Sequence, residues 1–141
     1  MPPLRSHAAV FLLLAATLLV AGITIVSRTI AAAAASRGTW HTPSRNIVCR
    51  PWWFYGYVNC VVLSETTRRG QRHFYVRYKG RARSYFARTH WKPTGHVLEY
   101  GEFWISGHGT YVKCRSRRKG LTCRNFAGHG FFLSRQRQRL F

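Results

Sequence analysis

The sequence predicts an all-β fold, a single small antiparallel domain that is barrel- or sandwich-like and stapled by disulfides, after an N-terminal signal or anchor helix. Beyond residue 37 the chain is rich in Val, Ile, Thr, Tyr, Phe and Trp, which favour strands. These residues stand in short runs separated by glycine, and no 3.6-residue periodicity is sustained. Residues 37–141 suit one domain near the lower size limit for a stable core, where staples are useful.

The first 36 residues are predicted to direct export. Arg5 and His7 give a basic start, residues 8–26 are apolar apart from two threonines, and residues 31–36 are small enough for signal cleavage. The apolar run exceeds the usual signal core of about 7–15 residues and approaches the roughly 20 that span a bilayer. We therefore expect a cleaved signal peptide, with an uncleaved anchor formed by residues 8–26 as the alternative.

Seven strands are predicted from the β-rich runs, with turns at the glycines between them. The expected turns include Arg69-Gly70, Lys79-Gly80, Gly107-His108-Gly109 and Lys119-Gly120. The predicted strands are Asn46–Arg50, Tyr57–Leu63, Arg72–Tyr78, Val97–Trp104, Thr110–Ser116, Leu121–Asn125 and Gly130–Ser134.

The four cysteines indicate a disulfide framework, because their number is even and the context is exported. They are Cys49, Cys60, Cys114 and Cys123. Three connectivities exist, and we favour pairing of sequence neighbours. The second pair can face each other across a hairpin whose loop has an even number of residues, such as Arg117–Gly120 with Gly120 at positive φ. The spacing lacks the CxxC pairs of zinc sites, so we expect no metal and no cofactor.

Each disulfide would close a short loop and contribute roughly 2–3 kcal/mol in the chain-entropy account. This contribution matters for a strongly charged domain. Residues 37–141 hold 21 of the 23 Lys and Arg residues against three glutamates, a net charge of about +18. Such a surplus of like charge destabilises the compact state.

Two segments carry a family resemblance. One runs from Thr42 to Cys49 (TPSRNIVC), and the other from Gly120 to Phe141 (GLTCRNFAGHGFFLSRQRQRLF). They resemble a family of small secreted actinobacterial proteins of unknown function, with a TPSGNIxC start and a GxTCxNxxGHGFxLSRxxYRLF C-terminal motif. The resemblance implies export, a compact β-rich domain and no established activity.

The chain departs from this family in several places. Arg45 stands where the family usually has glycine, and Gln138 where it usually has an aromatic residue. The acidic residues common in the middle of family members are absent, and so are both partners of a further cysteine pair. The resemblance supplies no catalytic residue.

Arginine outnumbers lysine, and its planar fork grips phosphate or carboxylate oxygens in pairs where lysine acts as a point charge. In extended backbone Arg115 and Arg117 share a face, as do Arg135, Arg137 and Arg139, so adjoining basic stripes are expected. A well-mixed soluble surface intersperses both signs of charge, and this one has few acids. The predicted polyanion-binding residues are Arg115, Arg117, Arg118, Lys119, Arg135, Arg137 and Arg139.

Four consecutive aromatic residues, Trp52, Trp53, Phe54 and Tyr55, lie between the first two cysteines. On a strand they cannot all face inward, so at least one is expected at the surface. There it can stack on bases or sugars, or lie at a lipid interface, whereas the alternative is core packing.

His108 and His129 each lie between glycines. We expect the His129 side chain to hydrogen-bond a neighbouring strand, and His129 is the candidate catalytic residue only in the alternative enzymatic interpretation. Glu99 and Glu102 would point to opposite faces of a strand, which disfavours glycoside hydrolysis. A Ser-His-Asp triad is excluded because the chain has no aspartate.

The sequence thus predicts a non-enzymatic, exported protein of the cell envelope. The expected partner is an anionic polymer or a membrane surface, bound by arginines and exposed aromatic rings. The alternative is a secreted basic ribonuclease or a nucleic-acid-binding, antimicrobial effector, so nucleic acid is the second expected partner.

Overall fold

Two β-sheets form the part of the chain that the computed structural model describes, residues 38–52, 56–106 and 112–141. All of these residues belong to the unit Ala31–Phe141. The predicted leader, residues 1–36, lies outside the described residues, as does the predicted turn at Gly107-His108-Gly109. In the described segments no helix is long and apolar enough to cross a membrane.

Eleven strands are described, and they confirm the all-β prediction. They are β1 (Trp40–His41), β2 (Ile47–Trp52), β3 (Tyr57–Val62), β4 (Gln71–Arg77), β5 (Arg83–Ala87), β6 (His96–Val97), β7 (Phe103–Ile105), β8 (Val112–Arg117), β9 (Gly120–Asn125), β10 (Gly130–Leu133) and β11 (Gln138–Leu140). The first sheet has the order β5-β4-β3-β2-β1-β6 and the second β11-β10-β9-β8-β7. Neighbours are antiparallel except β1 and β6, which pair in parallel.

The two sheets share one hydrophobic core, which makes the domain a sandwich. Strand β8 illustrates this arrangement. Val112 and Cys114 are buried and Lys113 and Arg115 are exposed, which is the alternation of a strand with one face toward the core and the other toward solvent. Rings from both sheets meet inside. The centroids of Trp40 and Trp104 lie 6.1 Å apart, and those of Phe74 and Phe131 6.3 Å apart.

Both disulfides join sequence neighbours, as predicted. Cys49 pairs with Cys60 and Cys114 with Cys123, each directly opposite its partner on adjacent antiparallel strands. All four are fully buried. Each bond lies within one sheet, so it fixes a hairpin, while packing of the core holds the sheets together.

The β8–β9 hairpin is tighter than the four-residue loop suggested above. Arg117 pairs with Gly120, which leaves only Arg118 and Lys119 in the loop. The even number of loop residues keeps the two cysteines on one face, and Gly120 has the expected positive φ of 143°.

The strand predicted at Val97–Trp104 is wrong, because the chain crosses there from one sheet to the other. β6 pairs with β1 and β7 with β8, and a turn lies between them at Tyr100-Gly101. Glu99 and Glu102 are therefore turn residues rather than strand residues. The Glu102 carboxylate accepts the Glu99 N–H at 2.9 Å.

Three strands were not predicted: β1, β5 and β11. β1 has only two residues, and β5 and β11 are edge strands with arginines and mostly exposed or half-exposed side chains. Edge strands with charged residues are a common protection against sheet-to-sheet aggregation, and they lack the apolar alternation that sequence patterns detect.

The C-terminal segment is held by Asn125 and Gly130. The Asn125 amide donates to the carbonyl oxygens of Arg77 at 3.0 Å and Gly80 at 2.7 Å, which connects β9 to the β4–β5 turn of the other sheet. Its Oδ1 accepts the His129 N–H at 3.0 Å. A Cβ at Gly130 would collide with the Cys123 carbonyl oxygen, so only glycine fits there.

Arg45 adopts a left-handed backbone conformation, with φ of 57°, in the turn that joins β1 to β2. Among the described non-glycine residues it is the one with positive φ. Left-handed backbone costs an L-residue with a Cβ roughly 1–2 kcal/mol, so glycine would fit this position with less strain.

Replacing Arg45 by glycine should therefore make the protein more stable than replacing it by alanine. Arg45→Gly and Arg45→Ala lose the same charge, so the comparison isolates the backbone. We expect a free energy of unfolding about 1 kcal/mol higher for the glycine variant, measured by urea denaturation. Equal stability of the two variants would contradict the strained turn.

Candidate functional site

A small cleft brings together the two basic turns of the second sheet and the β1–β2 turn of the first. Its volume is about 310 Å³, and its cationic lining is Arg117, Arg118, Lys119 and Arg135. Thr42, Ser44 and Ser134 line it with hydroxyl groups. We call this set of residues the basic cleft. It joins two hairpin turns that β9 and β10 separate in the sequence, because β8–β9 and β10–β11 turn at the same end of the sheet.

The hydroxyl side of the basic cleft is held in place by its own hydrogen bonds. Thr42 Oγ1 and Ser44 Oγ lie 3.1 Å apart, and the Thr42 N–H donates to the Ile47 carbonyl at 3.0 Å. The side chain of Asn46 makes two bonds to Ser64: its Nδ2 donates to Ser64 Oγ at 3.2 Å, and its Oδ1 accepts from the Ser64 N–H at 3.0 Å. Such a turn is preorganised, so less conformational entropy is lost when a ligand binds.

The outer face of the second sheet carries further cations, and we call Lys113, Arg115, Arg117, Arg124 and Arg139 the basic face. Strand register places Arg115, Thr122, Phe132 and Arg139 in one row across β8, β9, β10 and β11. At the usual strand spacing, Arg115 and Arg139 are about 14 Å apart along that row. The basic face therefore extends across most of the sheet.

Aromatic rings position several of these cations. Lys113 Nζ lies 4.5 Å from the Phe103 ring centroid, the Arg124 guanidinium 5.0 Å from Phe141, and the Arg118 guanidinium 5.6 Å from Tyr100. A cation over a ring is restrained without being neutralised, so its hydrogen-bond donors stay available to an anion. With three glutamates in the chain, few of its 23 Lys and Arg residues can have a carboxylate partner.

The predicted stripe of Arg135, Arg137 and Arg139 is wrong as an extended run. Residues 134–137 form the β10–β11 turn, where the Ser134 N–H donates to the Arg137 carbonyl at 2.8 Å. Arg135 consequently lies at the basic cleft and Arg139 on the basic face, while Arg137 is exposed at the turn. The predicted pair Arg115 and Arg117 does share the outward face of β8.

Of the predicted aromatic contact residues, Trp52 ends β2 and is 51% exposed. Trp53, Phe54 and Tyr55 lie outside the described residues. His129 is half-exposed, and its backbone bonds Asn125 in both directions, through the side-chain and the main-chain groups of Asn125. These are bonds of its backbone, and the bond expected from its side chain to a neighbouring strand stays a prediction.

A second and larger cleft lies on the outer face of the first sheet, and the predicted contact residue Trp52 lines it. Its volume is about 880 Å³. Its lining includes Trp52, Tyr57, Asn59, His73, Arg77, Tyr85, Thr89 and Trp91. We call it the aromatic cleft. Residues 88–91 follow the edge strand β5 and fold back, so that Trp91 packs on Val48 and Val61 of the same outer face.

The rings on this face are in continuous contact. Trp52 lies 5.7 Å from Tyr57, Tyr57 5.6 Å from Tyr75, and Tyr75 5.8 Å from Tyr85. The Tyr85 ring stacks on the His73 ring at 4.9 Å and 15°. The register makes this possible because His73 and Tyr85 are directly opposite across β4 and β5.

The buried polar groups beneath the rings bond one another. His73 is 1% exposed; its Nε2 lies 2.7 Å from Thr89 Oγ1 and its Nδ1 3.3 Å from Asn59 Oδ1. Thr89 Oγ1 is also 3.1 Å from Gln71 Oε1 and donates to it. Gln71 in turn holds Trp91 by accepting its N–H at 2.8 Å and donating to its carbonyl at 3.1 Å.

The donors in this network allow a neutral His73. If Thr89 donates to Gln71, then Nε2–H of His73 donates to Thr89, and Nδ1 must accept. Asn59 Nδ2 lies 3.0 Å from the Tyr85 hydroxyl. Rotating the Asn59 amide by 180° exchanges its two ends, so that its NH₂ group donates to His73 Nδ1 and its oxygen faces the Tyr85 hydroxyl.

Electrostatics disfavour the charged forms of His73 and Tyr57 in this cleft. Burial and the nearby positive charge of Arg50 lower the pKa of His73. Burial and the neighbouring Tyr85 and Tyr75 raise the pKa of Tyr57 to about 12. Both His73 nitrogens are engaged in the network, so this histidine acts as a structural support of the cleft rather than as an accessible acid or base.

The described ranges 38–52, 56–106 and 112–141 contain no group of three or more His, Cys, Asp or Glu side chains that could hold a metal ion. The four cysteines are consumed by the two disulfides.

The lowered pKa of His73 predicts a specific loss of stability in acid. In the unfolded state a histidine has a pKa of about 6.5, so it binds a proton at a pH where His73 in the folded state does not. The free energy of unfolding therefore falls as the pH drops below about 6.5. In His73→Gln this part of the pH dependence should disappear. It should persist in the control His129→Gln, and urea denaturation at pH 7.5 and 5.5 measures both.

The same pH dependence in His73→Gln as in the unchanged protein would show that His73 is not the group responsible. A parallel change in His129→Gln would point to the half-exposed histidine instead.

Comparison with known proteins adds a family match over part of the chain. No curated protein and no solved structure matches. The family match covers residues 77–141. This region contains the whole second sheet, including both basic turns, but not β2, β3 or the Thr42–Cys49 segment. Residues 77–141 are similar to the model of a family of unknown function, DUF6636.

Proposed function

We propose that this protein binds a phosphate-bearing polyanion outside the cytoplasmic membrane, without catalysis, and that the basic cleft is its principal contact. The expected ligands are anionic envelope polymers or lipid headgroups. The observation that carries the proposal is the convergence of Arg117, Arg118, Lys119 and Arg135 from two separate hairpin turns on one cleft.

The chemistry of the basic cleft suits a phosphate group. Guanidinium groups donate in pairs to phosphate oxygens, and lysine adds a mobile point charge. Thr42 and Ser44 add hydroxyl groups on another wall, whereas the Ser134 hydroxyl donates to the Arg137 carbonyl at 3.2 Å. Four cations converging on about 310 Å³ repel one another, and a bound anion would relieve that repulsion.

The basic face supports a polymeric ligand rather than a single small anion. Arg117 belongs both to the basic cleft and to the basic face, so positive charge continues from the cleft across the outer side of the second sheet. A chain of phosphates that enters the cleft would meet Arg115 and Arg139 next. A linear polyanion gains affinity from each counterion that it releases.

Location outside the cytoplasm agrees with the two disulfides, which persist in oxidising compartments. The predicted leader, residues 1–36, would direct export of the protein, which would then be released by cleavage or stay anchored in the membrane. The domain would then meet teichoic-acid-like polymers or anionic headgroups at the outer surface of the membrane.

The proposal predicts a loss of salt-dependent binding when the basic cleft is neutralised. For Arg118→Gln, Lys119→Gln and Arg135→Gln together, affinity for polyphosphate should fall at low salt. The slope of log Kd against log salt concentration should decrease by about 2 to 3, because each lost phosphate contact removes about 0.7–0.9 from it. Titration of the full-length oxidised protein at several salt concentrations measures both quantities.

A matched control loses three charges elsewhere. Arg68, Arg69 and Arg81 are exposed and line neither cleft. Glutamine at these three positions should change the slope by less than 1. If both triple variants lose the same affinity, diffuse net charge rather than the basic cleft holds the polymer. Binding that is insensitive to salt in the unchanged protein would exclude an ionic contact altogether.

A further inference from the structure

The aromatic cleft is separate from the basic cleft and uses different residues. It is on the outer face of the first sheet, while the basic face is on the outer face of the second. The base of the cleft consists of side chains on the outer faces of β2, β3 and β4, which the strand register places next to one another. Trp52 is opposite Tyr57, Arg50 is opposite Asn59, and Asn59 is opposite Tyr75.

Charge decides which class of ring-binding ligand fits. Arg77 lines the aromatic cleft, and the Arg50 guanidinium lies over the Trp91 ring at 4.4 Å. The carboxylate side chains of the chain are Glu65, Glu99 and Glu102, and none of them lines it. Aromatic rings can also bind a quaternary ammonium group, but these arginines would repel such a cation, so a cationic ligand is excluded.

Hydrogen-bonding capacity narrows the choice further. The acceptors of Asn59, Thr89 and His73 are engaged with one another, and the two arginines are donors only. A neutral sugar has many hydroxyl donors that would find few acceptors here. A ligand rich in acceptors, with a negative charge and a flat ring, satisfies both the arginines and the aromatic surfaces.

Aromatic surface is available for such a ring. Trp52 is 51% exposed and Tyr85 is 42% exposed, although both lie against neighbouring rings. A volume of about 880 Å³ accommodates a nucleotide with room to spare. Bases stack on aromatic side chains in proteins that bind single strands, beside a positively charged path for the phosphates.

From these observations we infer that the aromatic cleft binds a nucleotide unit, with the base stacked on Trp52 and the phosphate held by Arg77, which flank Tyr57 on either side in the register. The unit is either a free nucleotide or one residue of a single-stranded nucleic acid, which share this chemistry. The inference goes beyond the proposed function and does not depend on it.

The test uses uridine 5′-monophosphate with the full-length oxidised protein, followed by NMR titration. Ribose 5-phosphate is the matched ligand without a base, and glucose 1-phosphate represents an anionic sugar. Uridine 5′-monophosphate should bind at least about 5-fold more tightly than either, because base stacking is the added interaction. Equal binding of all three, or tighter binding of glucose 1-phosphate, would overturn the inference.

Two variants place the ligand in the cleft. Trp52→Ala should weaken binding of uridine 5′-monophosphate by about 5- to 100-fold, the range that truncation of a stacking side chain produces. Phe126→Ala is the control, because Phe126 is 86% exposed and lines neither cleft. Since Trp52 is exposed at the end of β2, its loss should leave folding intact, as circular dichroism would check. Equal effects of the two variants would contradict the assigned site.

A single-stranded oligouridylate distinguishes the two sources of the nucleotide. Tighter binding than the mononucleotide, with the same dependence on Trp52, identifies a strand as the ligand; mononucleotide binding without oligonucleotide binding identifies a free nucleotide. Polyphosphate has no ring, so Trp52→Ala should leave its binding unchanged. Glutamine at Arg118, Lys119 and Arg135 should in turn leave mononucleotide binding unchanged, and the two proposals can therefore fail separately.

Discussion

The direct opposition of the two cysteine pairs is the constraint on which both surfaces depend. Cys49 faces Cys60 and Cys114 faces Cys123 inside the core, so the register of β2–β3 and of β8–β9 cannot slip. A shift by one residue would exchange the faces of a strand. It would turn Arg115 and Arg117 into the core and Val112 outward, and in the other sheet it would separate Trp52 from Tyr57. The disulfides thus define which side chains are offered to a ligand.

Positive charge is the second constraint, and the fold tolerates it by placing cations where water or rings surround them. The exposed arginines lie on turns, on edge strands and on outer faces, where solvent screens them. Rings restrain several of them at 4.4–5.6 Å. Near the core, burial and the positive charge of Arg50 lower the pKa of His73 and so disfavour a further positive charge there. The remaining repulsion destabilises the folded state, and local disulfides together with the apolar core offset it.

Much of this architecture could be predicted from the sequence, and the omissions have physical causes. Strands β2, β3, β4, β8, β9 and β10 are predictable because they lie in short runs rich in strand-favouring residues, and the pairing of the cysteines follows from hairpin geometry. The edge strands β5 and β11 are not predictable in this way because they are short, mostly exposed or half-exposed, and show no apolar alternation. Arg135 was assigned to an extended run because a turn at Ser134–Arg137 leaves no glycine signal. The meeting of Arg135 with Arg118 depends on two hairpins turning at the same end, which no local pattern reveals.

The aromatic cleft could have been found in part. Once Cys49 is taken to face Cys60, counting outward in steps of one puts Trp52 opposite Tyr57 and Arg50 opposite Asn59. What the sequence could not supply is the pairing of β4 with the unrecognised β5, which brings Tyr85 onto His73. Both clefts nevertheless share one chemical character that composition does indicate: many donors, few free acceptors and no carboxylate in the lining. Such surfaces select ligands that carry negative charge and acceptor oxygens. They differ in that several aromatic rings line the aromatic cleft, whereas Tyr100 is the aromatic ring among the residues that line the basic cleft. A polymer with both phosphates and bases would satisfy the two, whereas a polymer of phosphates alone would satisfy only the basic cleft.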